Sequence, residues 1–238
     1  MRVNWKLVGL GLTTILLVAL YGFSNQRNSL RKVTDISVQF TDENPPLISR
    51  NVVNKLLIQN ADSLTGMHKD ALVLRVMEQR LQAHPMVQNA QVFLTVDGQV
   101  GAHIQQRKPL ARVVGYPSFY LDDRGQKMPL SEVYSARVPL ISGINQEQYE
   151  TILPLLKLLE EDDFMKQMVV GIEMDYKDEV LLHLRKHDLV VKLGKPNSLA
   201  RKIRNFKAFY QKTRKDNTLV NYESVDLKFG NQVVATKR

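Results

Sequence analysis

The sequence has no cysteine. That absence removes disulfide-stapled scaffolds, thiolate zinc sites, iron–sulfur clusters and cysteine nucleophiles, whichever compartment the chain occupies. Glycine (12) and proline (9) are sparse among 238 residues, which excludes fibrous and low-complexity architectures. Acidic residues are outnumbered, 24 against 33 Lys and Arg, giving a formal charge of +9. Catalytic signatures are missing as well: there is no G-x-S-x-G, no H-E-x-x-H, no phosphate-loop Gly-Lys-Ser/Thr, and no G-x-G-x-x-G behind a strand. What is present is 44% hydrophobic residues, too many for a disordered chain and enough for one large or two modest cores.

The longest uncharged run is Leu7 to Phe23, LVGLGLTTILLVALYGF. At about 1.5 Å per residue it covers roughly 26 Å as a helix, the low end of a membrane span. Trp5 and Tyr21 stand where interfacial anchors belong. A cleavable signal peptide is the rival, with Arg2 and Lys6 as its n-region, but the run exceeds the usual h-region. The expectation is therefore a cytoplasmic tail over residues 1–6, a single span over 7–23 and a polar juxtamembrane linker over 24–32, with the remainder outside the cytoplasm. Flanking charge alone ties; the long remainder sets the orientation, since long domains translocate largely regardless of charge.

From Val33 the periodicity becomes that of a folded α+β unit. Ile36, Val38 and Phe40 alternate as on a half-buried strand. Ser49 is placed to cap a helix carrying Val52, Val53, Leu56 and Leu57, and a second helix is expected over about Lys69 to His84 with Leu72, Val76 and Leu81 inward. Pro85 closes it, and strands Val87 to Val96 and Val100 to Gln106 meet at Asp97-Gly98, a strong hairpin dipeptide. Strand, helix, helix, strand, strand makes a three-stranded sheet with two helices on one face.

This unit, placed directly behind one apolar helix, resembles a POTRA domain, and the chain as a whole resembles the FtsQ/DivIB family. The resemblance rests on an ordered series: Pro85-Met-Val-Gln-Asn-Ala90-Gln-Val92, Lys108-Pro109-Leu110-Ala111, Tyr120-Leu121-Asp122-Asp123-Arg124-Gly125, Val138-Pro139-Leu140-Ile141-Ser142-Gly143, Leu189 to Gly194, and Val225-Asp226-Leu227-Lys228-Phe229. Met86 stands where the family often has Trp, Gln106 where it often has Glu, and no Trp follows Val234.

Beyond Leu110 the residues predict a mixed α/β domain with an extended antiparallel-type sheet over 108–238, after a POTRA domain over 33–107. A helix is expected over Gln146 to Asp162, kinked or split at Pro154, followed by strands at Val169 to Met174, Val180 to Leu184 and Leu189 to Leu193. Ser198 is placed to cap a helix reaching Lys215, with Leu199, Ile203, Phe206 and Tyr210 inward. Two final strands, near Tyr222 to Phe229 and Gln232 to Thr236, meet at Gly230-Asn231.

Candidate chemistry is thin. His183 and His187 are four apart, but one sits in a strand and the other in the turn after it, so they form no metal pair. Asp122-Asp123-Arg124-Gly125 lacks the alternating oxygens of a calcium loop and reads as a tight turn. From Arg185 to Lys215 eleven basic residues face one acid, Asp188, yet no nucleic-acid-binding signature accompanies them. The reading is a non-enzymatic protein without catalytic, cofactor or metal residues and without a nucleic-acid partner.

Recognition by β-augmentation at the last strand, where Gln232-Val-Val-Ala-Thr236 carries no charge or proline, is the mechanism expected. The family resemblance implies that this edge binds FtsB/FtsL coiled-coil partners and influences septal peptidoglycan synthesis, with other division proteins on the POTRA domain, at an inner-membrane division septum. It makes Phe229 the aromatic anchor and Asp226, Leu227, Gly230, Gln232, Val233 and Val234 the residues shaping the edge. The alternatives are a POTRA-type chaperone or secretion component, and a secreted basic protein binding acidic polymer.

Overall fold

The computed structural model describes residues 5–29, 33–42, 45–58, 73–230 and 232–238, with the side chains of 5–8 and 27–29 set aside. The first element, α1 (Trp5–Ser29), continues six residues past the uncharged run, so Ser24 to Ser29 of the expected linker are helical. Its described large apolar side chains are all exposed, from Leu20 at 55% to Tyr21 at 75%. Among the described residues no helix is long and apolar enough to cross a membrane. The chain divides into two compact units, 1–106 and 107–238.

In the first unit, β1 (Asp35–Phe40), α2 (Arg50–Ile58), α3 (Leu74–Gln82), β2 (Val87–Leu94) and β3 (Gln99–Gln106) follow in the expected order. The sheet runs β1-β3-β2, with β3 parallel to β1 and antiparallel to β2. Two helices between β1 and β2 permit this, because a chain that crosses over can return to an outer position of the sheet. Ser49 Oγ accepts the Val52 N–H at 3.2 Å, the expected cap. Gly98 holds the hairpin turn at φ 90°. Two apolar helical positions differ: Val52 and Val76 are exposed, and Met77 with Leu81, one turn apart, enters the core. Lys69 to Leu72 lie outside the described residues. Gln106 is buried but satisfied, its Oε1 accepting the Leu47 N–H at 2.6 Å and its own N–H donated to Asp42 at 2.7 Å.

The second unit is built on one nine-stranded sheet. Its strands are β4 (Pro109–Val113), β5 (Phe119–Asp122), β6 (Lys127–Met128), β7 (Leu140–Ser142), β8 (Val169–Met174), β9 (Val180–Leu184), β10 (Val190–Gly194), β11 (Tyr222–Asp226) and β12 (Val234–Lys237). Their spatial order is β12-β11-β10-β9-β8-β7-β4-β5-β6. The expected antiparallel-type sheet is corrected to a mixed one: β4 with β7, β7 with β8 and β10 with β11 are parallel. Helices enforce two of these. The chain leaves β7 through α4 (Tyr149–Glu161) and α5 (Asp163–Met168) before β8, and leaves β10 through α6 (Leu199–Lys215) before β11.

Pro154 sits inside a continuous α4, and the break comes later at Asp162, whose carboxylate caps α5 by accepting the Met165 N–H at 3.0 Å. Ser198 does not cap α6 through its side chain; it adopts φ 49° at the helix start. The α6 core face is Ile203, Phe206 and Tyr210 as expected, joined by Lys202. That lysine is only 5% exposed and donates to Leu193 O (2.9 Å), Lys195 O (2.7 Å) and Asn197 Oδ1 (3.0 Å), so its burial lowers its pKa while its donors stay satisfied.

Two carboxylates pin the helices. Glu160 pairs with Lys108 and Lys166, both at 2.8 Å, and Asp162 pairs with Lys207 of α6. Burial pushes both pKa values up, but the lysine partners prevail and hold both below their ordinary range. A carboxylate whose folded pKa is depressed contributes stability above its unfolded value and loses it as pH falls through the folded one. The urea midpoint should therefore fall as pH is lowered below about 5. Glu160→Gln should flatten that fall, and an unchanged slope would remove Glu160 from this account.

Candidate partner-binding edge

At one end of the nine-stranded sheet lies β12, paired with β11 on one side only. The Arg238 N–H is donated to Asn221 O at 2.9 Å. By the two-residue period of a strand, the main chain of Thr236 and Val234 then also faces β11, while that of Ala235 and Lys237 faces away. An extra residue in β11 between Tyr222 and Ser224 absorbs the register shift, leaving β12 itself regular. No proline interrupts β12, so the outward main-chain groups of Ala235 and Lys237 are open to a partner strand.

The turn that presents this edge is fixed from several directions. Leu227 donates its N–H to Lys192 O at 2.9 Å, extending the β10 pairing by one residue. Asp226 Oδ1 accepts the Lys228 N–H at 2.8 Å, and Lys228 Nζ reaches Glu179 at 3.4 Å. Gly194 lets the segment approach β10 closely, for at φ +67° a Cβ there would stand 2.4 Å from Lys228 Cγ. Asn205 of α6 donates to Gly230 O at 3.4 Å, and Phe209 of α6 meets Tyr222 edge-on at 5.3 Å.

The seven sequence-predicted residues therefore divide. Phe229 is 54% exposed, Gly230 and Gln232 are exposed, and Val234 is 38% exposed. Val233 is half-buried against the core, and Asp226 is half-buried with its carboxylate in the turn. Leu227 is corrected to a core residue, 2% exposed, because β11 ends at Asp226 and the chain turns, breaking the alternation that would have grouped Leu227 with Phe229. Strand structure likewise stops short of the expected Tyr222–Phe229 and restarts only at Val234, while Asn231 lies outside the described residues. Sequence reasoning missed Ala235 and Lys237 as main-chain contributors and Asn205 as a support. Strand parity would have indicated the first two.

Two family models divide the chain as these units do: a POTRA-like domain over residues 31–105, and an FtsQ/DivIB C-terminal related domain over residues 108–236. The cell division protein FtsQ of Salinibacter ruber is 30% identical over 186 residues, which is 71% of each chain. The chain belongs to the FtsQ/DivIB family. Among solved structures, the major extracytoplasmic domain of the cell division protein DivIB from Geobacillus stearothermophilus, in its trans isomer, shares 17% identity. That comparison covers 33% of this chain and 71% of that one, at a TM-score of 0.26.

FtsQ/DivIB proteins are non-enzymatic division proteins, and several polar side chains of this member are engaged with its own backbone and neighbours. Asp122, 1% exposed, accepts the N–H groups of Arg124 (3.0 Å) and Gln126 (2.7 Å) and pairs with Arg107 at 2.8 Å, so the Asp122–Gly125 segment is the expected tight turn. His187 hydrogen-bonds Tyr210 at 3.0 Å and His183 faces Glu173 at 3.5 Å; they do not share a site. Among the described residues no group of three His, Cys, Asp or Glu could hold a metal. A cleft of about 640 Å³ has Leu110, Leu156 and Met165 among its lining, but its one carboxylate, Glu160, is held by two lysines.

Proposed function

We propose that this FtsQ/DivIB member is a non-enzymatic, single-span scaffold of the bacterial division septum. Its β12 edge recruits coiled-coil partners of the FtsB/FtsL type and so couples them to septal peptidoglycan synthesis, while the POTRA unit serves other division proteins. The observation that carries the reading is the open β12 edge, with alternate main-chain groups turned outward and Phe229 exposed beside it. A partner's extended segment would complete the ladder by main-chain hydrogen bonds, and Phe229 would fill a pocket on that partner.

In this reading α1 is the anchor. The apolar side chains of Leu10, Ile15, Leu16, Leu17 and Leu20 are each more than half exposed. In length alone the 25-residue helix, at about 1.5 Å per residue, extends roughly 37 Å against a hydrocarbon core of ~30 Å.

A pair of variants in the full chain tests the edge. Phe229→Ala should weaken capture of an FtsB/FtsL-type partner on the order of tenfold to a hundredfold while leaving the thermal midpoint unchanged. Leu227→Ala should do the reverse in kind, lowering stability by about 2–4 kcal/mol through a core cavity. Unaltered affinity in Phe229→Ala would contradict the anchor role.

A further inference from the structure

The outer face of α6 carries a pattern that neither the core nor the β12 edge uses. Opposite its buried face stand Arg201, Arg204, Ala208, Lys212 and Lys215, spaced 3, 4, 4 and 3 residues apart and all exposed. At 1.5 Å per residue this is a straight stripe about 21 Å long. Among the described residues no ion pair involves any of its four cations, whereas Lys207, on the flank of the same helix, is paired with Asp162.

The arrangement is costly for a face that merely meets water. Arg201 with Arg204, and Lys212 with Lys215, are like charges at i, i+3, which repel on a helix surface. A Glu at position 208 would stand four residues from both Arg204 and Lys212 and relieve them; the chain has Ala there. The face also lacks what a protein or a nucleic acid would grip. It holds no aromatic or large apolar side chain to serve as a buried anchor, and no ring on which a base could stack.

We propose that this stripe is a contact surface for anionic phospholipid headgroups. A plane of phosphates asks for cations in register with no pocket or anchor, and that is the composition of this face. The proposal rests on the reading of α1 as a membrane anchor, which keeps a bilayer near the folded units and supplies the effective concentration that a purely electrostatic contact needs.

The absence of cysteine gives a clean probe, because Ala208→Cys can be labelled uniquely at the centre of the stripe. The full chain is reconstituted in nanodiscs of phosphatidylcholine alone, or with roughly 30 mol % phosphatidylglycerol, each carrying a headgroup energy-transfer acceptor. Transfer from the label should rise about twofold or more with the anionic lipid, vanish near ~0.5 M salt, and be absent when Arg201, Arg204, Lys212 and Lys215 are all replaced by Gln. Co-elution with the neutral discs reports the anchor separately. Co-elution with equal transfer in both lipids overturns the stripe alone. Failure to co-elute overturns the anchor and the stripe together. Loss of a co-purifying acidic protein in the four-Gln variant, with transfer insensitive to lipid, would assign the face to a protein partner instead.

Discussion

Ala235→Pro is expected to abolish capture of an extended partner while leaving the second unit folded. Ala235 turns its main chain away from β11, so its N–H is not spent on the existing ladder, and an edge position tolerates proline. The substitution removes one outward donor from the middle of the template and puts a pyrrolidine ring where the incoming strand must lie. One lost main-chain hydrogen bond is worth about 1 kcal/mol net. The ring clash and the disrupted register raise the total to the point where affinity should fall on the order of a hundredfold or more. Circular dichroism and the thermal midpoint should change little. Val234→Pro is the contrasting variant, because the Val234 main chain faces β11 and its loss weakens the sheet itself. If Ala235→Pro bound the partner as tightly as the parent chain, edge-strand addition would be the wrong mechanism whatever surface the partner uses.

The largest stability loss should come from Asp122→Ala. The Asp122 side chain is 1% exposed and that of Arg107 13% exposed, and the carboxylate is shared between the guanidinium and the N–H groups of Arg124 and Gln126. Removing it deprives a largely buried cation of its counter-charge and two turn amides of their acceptor, a change that costs about 3–5 kcal/mol. Arg107 retains Lys127 O at 3.1 Å, which offsets part of the loss. Urea unfolding of the full chain measures it directly. A loss under roughly 1 kcal/mol would mean that water or neighbouring groups satisfy the turn unaided.

The first unit was legible because its signals are local. A strand period gives way to a helix period, Ser49 caps where the change occurs, and Asp97-Gly98 fixes a hairpin, so each element is announced by residues within it. The parallel pairings of the second unit were less legible, since they depend on which strands a crossover brings together. The expected helix over Gln146 to Asp162 was given its break at Pro154, and α5 (Asp163–Met168) went unseen although Asp162 stands three residues before Met165 as a cap should. At the candidate edge the error had one cause. The resemblance placed Leu227 and Phe229 together at the edge on a strand expected to reach Phe229, whereas β11 ends at Asp226 and the turn sends the first inward and the second outward. Val76 was placed inward one helical position away from the true inward residue, Met77.

The most direct test of the central claim is in-cell photo-crosslinking from a reactive residue at Val234, whose exposed side chain lies on β12 without being needed in the core. Adducts with small coiled-coil division proteins, lost when Ala235→Pro is added in the same chain, are the predicted result. Strong adducts that persist unchanged with Ala235→Pro, or none from a folded and expressed protein while partners crosslink elsewhere, would contradict it.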